Sequence, residues 1–187
     1  MRQRLQAAWR RLPSPLEGAG FLAVVLAGAW LLGPGPHTED HSHSPLPAAE
    51  LALPDLSGKT VRLSDFKRRV VLVDFWATWC YPCLQELPDL KALYGRHEGK
   101  GFVILAVSID EGGKETVAPF VAENEVPYPV LLAGSAPIKG WRVRGLPVAH
   151  LIDREGRIVR SWFGYKDPVE LEENVKTLLS GGSVHDH

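Results

Sequence analysis

The sequence predicts an α/β fold, a central mixed sheet flanked by helices, and three observations carry that reading. Residues 70–75 and 102–109 are β-branched and apolar runs interrupted only by Asp74 and Ser108, the pattern of strands buried on both faces of a parallel sheet. Residues 110–133 read as a loop, a helix and a further strand, which with the strand before them make a parallel crossover. The segment Val148–Ile152, the turn at 153–156 and the run Arg157–Phe163 then add an antiparallel edge strand, which makes the sheet mixed.

Taken in order, the first eleven residues carry Arg2, Arg4, Arg10 and Arg11 and no acid. They precede residues 18–32, which hold no charge and have Trp30 near the far end. A span wants about 20 residues, and the flanking positions bring this one close. The basic flank predicts a cytoplasmic N-terminus and an exported remainder. A signal peptide cut after Ala27-Gly28-Ala29 competes with an uncleaved signal anchor, and the anchor is favoured because Trp30, Leu31 and Leu32 continue the apolar run past that cut. The expected division is a basic cytoplasmic segment (1–15), a membrane anchor (16–33), a flexible linker (34–50), a folded domain (51–180) and a tail (181–187). The linker is rich in Pro, Gly and Ser and holds His37, His41 and His43, while His185 and His187 close the chain; these read as solvated spacers. With 187 residues, 45 % hydrophobic, the composition suits one domain plus tails, and a net charge of −1 gives no argument for nucleic acid.

The domain opens with a hairpin, a strand at 53–56 and an alternating strand at 60–63 around Ser57-Gly58-Lys59. The core strand at 70–75 then feeds the two cysteines of the chain, Cys80 and Cys83, and a helix expected over Tyr81–His97. Pro88 lies inside that helix, where it removes one hydrogen bond and should kink it. A sulfur at a helix N-terminus meets unpaired N–H groups and the positive end of the dipole, which favours thiolate. In such a Cys-x-x-Cys pair the first thiol pKa can fall from about 8.5 into the range of about 3.5 to 7.5, and the second thiol can resolve a mixed disulfide. A bridge closing so short a loop does little for stability, so chemistry is the better reading.

Asp74-Phe75-Trp76-Ala77, followed by Trp79-Cys80-Tyr81-Pro82-Cys83, resembles the active-site run of the thioredoxin superfamily. More narrowly, Thr78-Trp79-Cys80, Pro82-Cys83, Glu86 and Pro88 resemble the membrane-anchored thiol-disulfide oxidoreductases of the TlpA/ResA type. The resemblance implies a thioredoxin-like fold with an N-terminal hairpin and a central αβ insertion at 110–133. It implies a cis Leu146–Pro147 bond facing the cysteines, with Leu146 backbone groups free to pair with an extended substrate and Trp79, Tyr81 and Pro82 shaping the rim. Asp74 would be a buried acid that exchanges a proton with Cys83, and Glu86 would adjust the cysteines; many relatives have asparagine at the Asp74 position.

Residues after Pro147 depart from the family, which has small hydroxyl residues and then an aromatic where this chain has Val148, Ala149 and His150. His150 reads as a satisfied core side chain. On the edge strand, Arg157 and Arg160 discourage further pairing, and a terminal helix runs from Asp167 or Pro168 to Leu179 with Gly181-Gly182 beyond it.

The resemblance further implies a reductant of protein disulfides outside the cytoplasm, with no cofactor beyond the Cys80–Cys83 disulfide. Its electron source would be a membrane thiol carrier of the DsbD/CcdA kind, and its substrates apocytochrome c cysteines or those of copper-site proteins. A thiol oxidase of the DsbA kind and a copper chaperone using Cys80, Cys83 and His150 are the alternatives. Of the peroxiredoxin motif, with its proline and threonine before the nucleophile, only Thr78 matches.

Overall fold

The computed structural model describes residues 46–135 and 138–184. The anchor expected at 16–33, the linker histidines and the two terminal histidines lie outside them. Among the described residues no helix is long and apolar enough to cross a membrane.

The elements in chain order are β1 (Leu46–Pro47), β2 (Ala52–Pro54), β3 (Thr60–Arg62), β4 (Val70–Trp76), α1 (Tyr81–His97), β5 (Phe102–Ser108), α2 (Gly113–Glu123), β6 (Val130–Leu132), β7 (Val148–Ile152), β8 (Arg157–Phe163) and α3 (Pro168–Leu179). Six strands form one sheet in the order β1-β8-β7-β4-β5-β6. The strands β4, β5 and β6 are parallel, and β7, β8 and β1 each run antiparallel to their inner neighbour. All seven residues of β4 are buried, as are all seven of β5, because both faces of the sheet are covered.

Alternation along β4 sorts those faces. Val70, Leu72 and Trp76 pack with Leu90 and Leu93 of α1 and Leu171, Val175 and Leu178 of α3, so Asp74 points to the same side. Val71, Val73 and Phe75 face the other way, against Leu51, Trp141, the hairpin residue Val61 and Leu63 just beyond it. The hairpin β2–β3 is a separate two-stranded sheet. Its turn is organised by Asp55, whose Oδ1 accepts from Ser57 N (2.8 Å), Ser57 Oγ (2.6 Å) and Lys59 N (3.0 Å), while Gly58 takes the positive φ of 87° that the turn needs.

Three local expectations change. The sheet begins inside the stretch read as linker, since Leu46 and Pro47 pair with Ile158 and Arg157, and Ala48 N donates to Gly156 O at 2.9 Å. For the same reason β8 is not the edge at its first residues. The arginines meant to guard that edge are engaged elsewhere: Arg157 pairs with Asp153 at 2.7 Å and Arg160 with Glu170 at 2.7 Å. Finally, α2 starts at Gly113 rather than 115, because the Asp110 to Gly113 turn (3.1 Å) leads directly into it. Pro119 therefore sits well inside the helix, where it has no N–H for the carbonyl of Glu115.

Candidate active site

The turn after β4 is fixed before the cysteines are reached. Thr78 donates its N–H (3.1 Å) and its hydroxyl (2.6 Å) to the Asp110 carboxylate. Asp110, buried just past the end of β5, also accepts the Ser108 hydroxyl at 2.8 Å. The open end of one parallel strand thus anchors the loop leaving its neighbour. Neither Ser108 nor Asp110 was singled out from sequence, although a Ser-x-Asp pair closing a buried strand is a visible signal.

Cys80 is the N-cap of α1, and its Sγ accepts the Cys83 N–H at 3.4 Å. The two cysteines form a disulfide, with Cα atoms 5.3 Å apart. Both are nearly enclosed, 5 % and 6 % exposed, whereas the flanking Trp79 and Tyr81 are 68 % and 70 % exposed. Pro82 occupies the first helical turn, where its missing N–H costs nothing. A donor N–H aimed at Cys80 Sγ, together with the helix dipole, stabilises a thiolate there once the bridge is reduced.

Leu146–Pro147 is a cis peptide bond. Trp79, Cys80, Tyr81, Arg144, Gly145 and Leu146 line one groove, so the chain places this loop against the first cysteine. The Pro147 carbonyl is occupied by Gly164 N (2.8 Å). The backbone of residues 144–146, in contrast, makes no hydrogen bond among the described residues, and is open to an added strand.

Beneath the second cysteine lies a feature that sequence reasoning only half found. Asp74 on β4 and Glu86 on α1 are both buried, and both meet Lys166 from the loop between β8 and α3. Lys166 Nζ lies 3.0 Å from Asp74 Oδ1 and 2.6 Å from Glu86 Oε2, and Lys166 N donates to Glu86 Oε1 at 2.6 Å. Burial pushes both carboxyls up, against the pull of the ammonium. Burial alone would push Lys166 down, but the two carboxylates hold it above the ordinary lysine range. Glu86 accepts two hydrogen bonds and Asp74 one, so Glu86 is the better stabilised anion. Asp74 and Cys83 line a common cavity of about 10 Å³ with Tyr128 and Trp76, roughly the space of one water. Burial, with the Asp74 charge behind it, drives the Tyr128 phenol well above its usual range. Lys166 was missed because it follows two exposed aromatics in a loop, a context that marks a lysine as solvated.

His150 is placed on the other side. It pairs with Val73 across β4 and β7 and so shares the face of Phe75, opposite Asp74. Its Nδ1 lies 2.7 Å from Ser161 Oγ, and Phe75, Trp141 and Phe163 surround the ring. Burial, with Arg142 nearby, lowers its pKa from 6.5 to about 4. It is not brought into a ligand set with the cysteines: among the described residues no group of three or more His, Cys, Asp or Glu side chains is placed to hold a metal ion.

A parallel core strand delivering a Cys-x-x-Cys disulfide to a helix N-terminus, opposite a cis-proline loop, defines the thioredoxin-like thiol-disulfide oxidoreductases. Residues 45–161 match the AhpC/TSA family, and the chain belongs to that family, within its ResA-like thiol-disulfide oxidoreductases. The thiol-disulfide oxidoreductase ResA of Bacillus thuringiensis subsp. konkukian is 36 % identical over 132 residues, covering 70 % of this chain and 76 % of that one. A candidate thiol:disulfide interchange protein DsbE of Chlorobium tepidum superposes with a TM-score of 0.66 at 31 % identity, over 72 % of this chain and 96 % of that chain. A thiol:disulfide interchange protein from Bacteroides sp. gives 0.65 at 30 % identity, over 73 % and 90 %. The chain is thus an enzyme that exchanges thiols and disulfides.

Proposed function

We propose that the chain is a reductant of protein disulfides on the outer side of a bacterial cytoplasmic membrane, tethered there by residues 16–33. In the dithiol form, Cys80 attacks a substrate disulfide and one substrate thiolate leaves. Cys83 then attacks Cys80 Sγ, the second substrate thiolate leaves, and the Cys80–Cys83 disulfide remains; two electrons pass to the substrate and each released sulfur takes a proton. Asp74 takes the Cys83 proton, across the one-water gap between them, and Glu86 stays charged against Lys166. Leu146 and its neighbours pair with the substrate backbone, and Trp79, Tyr81, Pro82 and Pro147 frame the opening.

The observation that carries this reading is the contrast at the helix start: a nearly enclosed sulfur pair ringed by exposed aromatics and a free backbone edge. That arrangement suits a segment of another protein. Pro82 before the second cysteine supports the reducing direction by its likeness to thioredoxin. A donor of the DsbD/CcdA kind would restore the dithiol, and apocytochrome c cysteines or copper-site cysteines are the substrates this reading favours. The copper-chaperone alternative loses support because His150 is committed to Ser161 on the opposite face. A glutathione titration tests the direction: a potential near thioredoxin, about −270 mV, supports the reductant, and one near DsbA, about −120 mV, overturns it. Mixed-disulfide trapping with Cys83→Ala in the full chain identifies the partner, and partners recovered only from the cytoplasmic side would overturn the location.

A further inference from the structure

The loop that faces Cys80 carries one sign of charge. No Asp or Glu occurs between Glu125 and Asp153, yet Lys139, Arg142 and Arg144 fall within six residues of one another there. All three are exposed. Neither Lys139 nor Arg144 has a hydrogen-bond or ion-pair partner among the described residues, whereas Arg96, Arg157 and Arg160 all do. Arg144 shares the groove with Cys80 itself. Two acids, Asp110 and Glu111, border a neighbouring hollow beyond Trp79, and neither lines the groove that holds Cys80.

We infer that this groove selects cysteine-bearing segments with an acidic residue three positions from the reacting cysteine. The inference rests on the disulfide-exchange reading above and adds the substrate's charge to it. An extended segment added along residues 144–146 advances about 3.3 Å per residue and presents alternate side chains to the same side. When the residue beside the target cysteine pairs with Leu146, the residue two further along lies over Arg144. A carboxylate at that point meets an unpartnered guanidinium, which takes a carboxylate through two parallel hydrogen bonds. A lysine there meets a like charge instead. Attraction in one case and repulsion in the other alters the rate of encounter as well as the hold on the complex.

The test uses the full chain, reduced beforehand, and short synthetic peptides with one central cysteine carried as its methyl disulfide. The peptides differ only in having Glu, Gln or Lys three residues to either side of the cysteine. Cys80 displaces methanethiolate from the peptide sulfur, Cys83 then releases the peptide thiolate, and the protein ends as its disulfide; two thiols are formed for one disulfide consumed. Single-turnover rate constants at low ionic strength should favour Glu over Lys by roughly fivefold, with Gln between them. The ratio should collapse toward one in high salt, since the groove is open to solvent. Arg144→Gln should reduce the ratio and Arg144→Glu should invert it. Equal rates for the Glu and Lys peptides, or a ratio that Arg144→Gln leaves unmoved, would overturn the selectivity while leaving disulfide exchange intact. If none of the peptides reacts, including the neutral one, the exchange reading fails and the selectivity with it.

Discussion

The two faces of β4 bury ionisable groups in opposite ways. On one face Asp74 and Glu86 share the Lys166 ammonium at 3.0 and 2.6 Å, and Glu86 also accepts the Lys166 backbone N–H at 2.6 Å. On the other, His150 has a hydroxyl partner at Nδ1, aromatic walls, and a buried Nε2 with no partner among the described residues. The first face keeps charge inside the protein by supplying the counter-charge; the second keeps its titratable group neutral. The cysteines belong to the first face, in the cluster that includes Trp76, Leu90 and Ala149. Proton traffic is therefore possible at Cys83 and suppressed around His150.

Removing the shared cation should break this contrast most severely. In Lys166→Met two carboxyls remain buried against each other with no ammonium between them. Loss of one partner from a buried ion pair costs about 3–5 kcal/mol, and urea unfolding should show a deficit of that order near neutral pH. The deficit should shrink in acid, where both carboxyls take protons and the uncompensated charge disappears. A variant as stable as the parent at neutral pH would show that the cluster is open to water.

The His150 face should respond to acid instead. Its folded pKa of about 4 lies below the ordinary 6.5, so between those values the unfolded chain binds a proton that the folded chain refuses. Stability then falls as the pH drops from 6.5 toward 4, by about 3 kcal/mol at most. His150→Leu removes that slope, and the difference between the two urea-denaturation series isolates it from the carboxylates. Parallel series would place the imidazole in contact with solvent.

These two faces were unequally legible in the sequence. The apolar strand patterns at 70–75 and 148–152 already marked Asp74 and His150 as ionisable groups inside a sheet, and the Cys-x-x-Cys context located the helix to its last residue. Lys166 was not legible, because its partner Asp74 lies ninety-two positions away and nothing local distinguishes a loop lysine that turns inward. The pairing of Leu46 and Pro47 with β8 was hidden for a related reason. A two-residue strand has no period to read, and its prolines and serines look like a spacer until the sheet supplies a partner.

Asp74→Asn sharpens the contrast within the first face. Because burial raises the folded carboxyl above its ordinary value, the folded state is charged the cost of ionising Asp74 as the pH climbs through that raised value, and the unfolded state is not. The neutral amide escapes this, while Lys166 keeps Glu86. The variant should therefore be more stable than the parent at neutral pH and above, with the gap closing in acid. Its exchange should be slower at the release step, which needs a base near Cys83, and mixed disulfide should accumulate. An unchanged release rate across pH would remove Asp74 from the proton path.

The smallest stability effect is expected at the rim, where Trp79 is 68 % exposed. Trp79→Ala removes a ring that packs little in the free protein, so its unfolding free energy should move by no more than about 0.5 kcal/mol, as for surface positions generally. Its exchange rates should divide by substrate size. A protein disulfide, which would cover the ring, should react several-fold more slowly, since exposed aromatics supply much of the holding surface in such contacts. A small disulfide touches only the sulfur and should lose far less. A uniform loss across both substrates would instead mean that the indole shields the Cys80 thiolate itself, moving Trp79 from the docking surface into the chemistry.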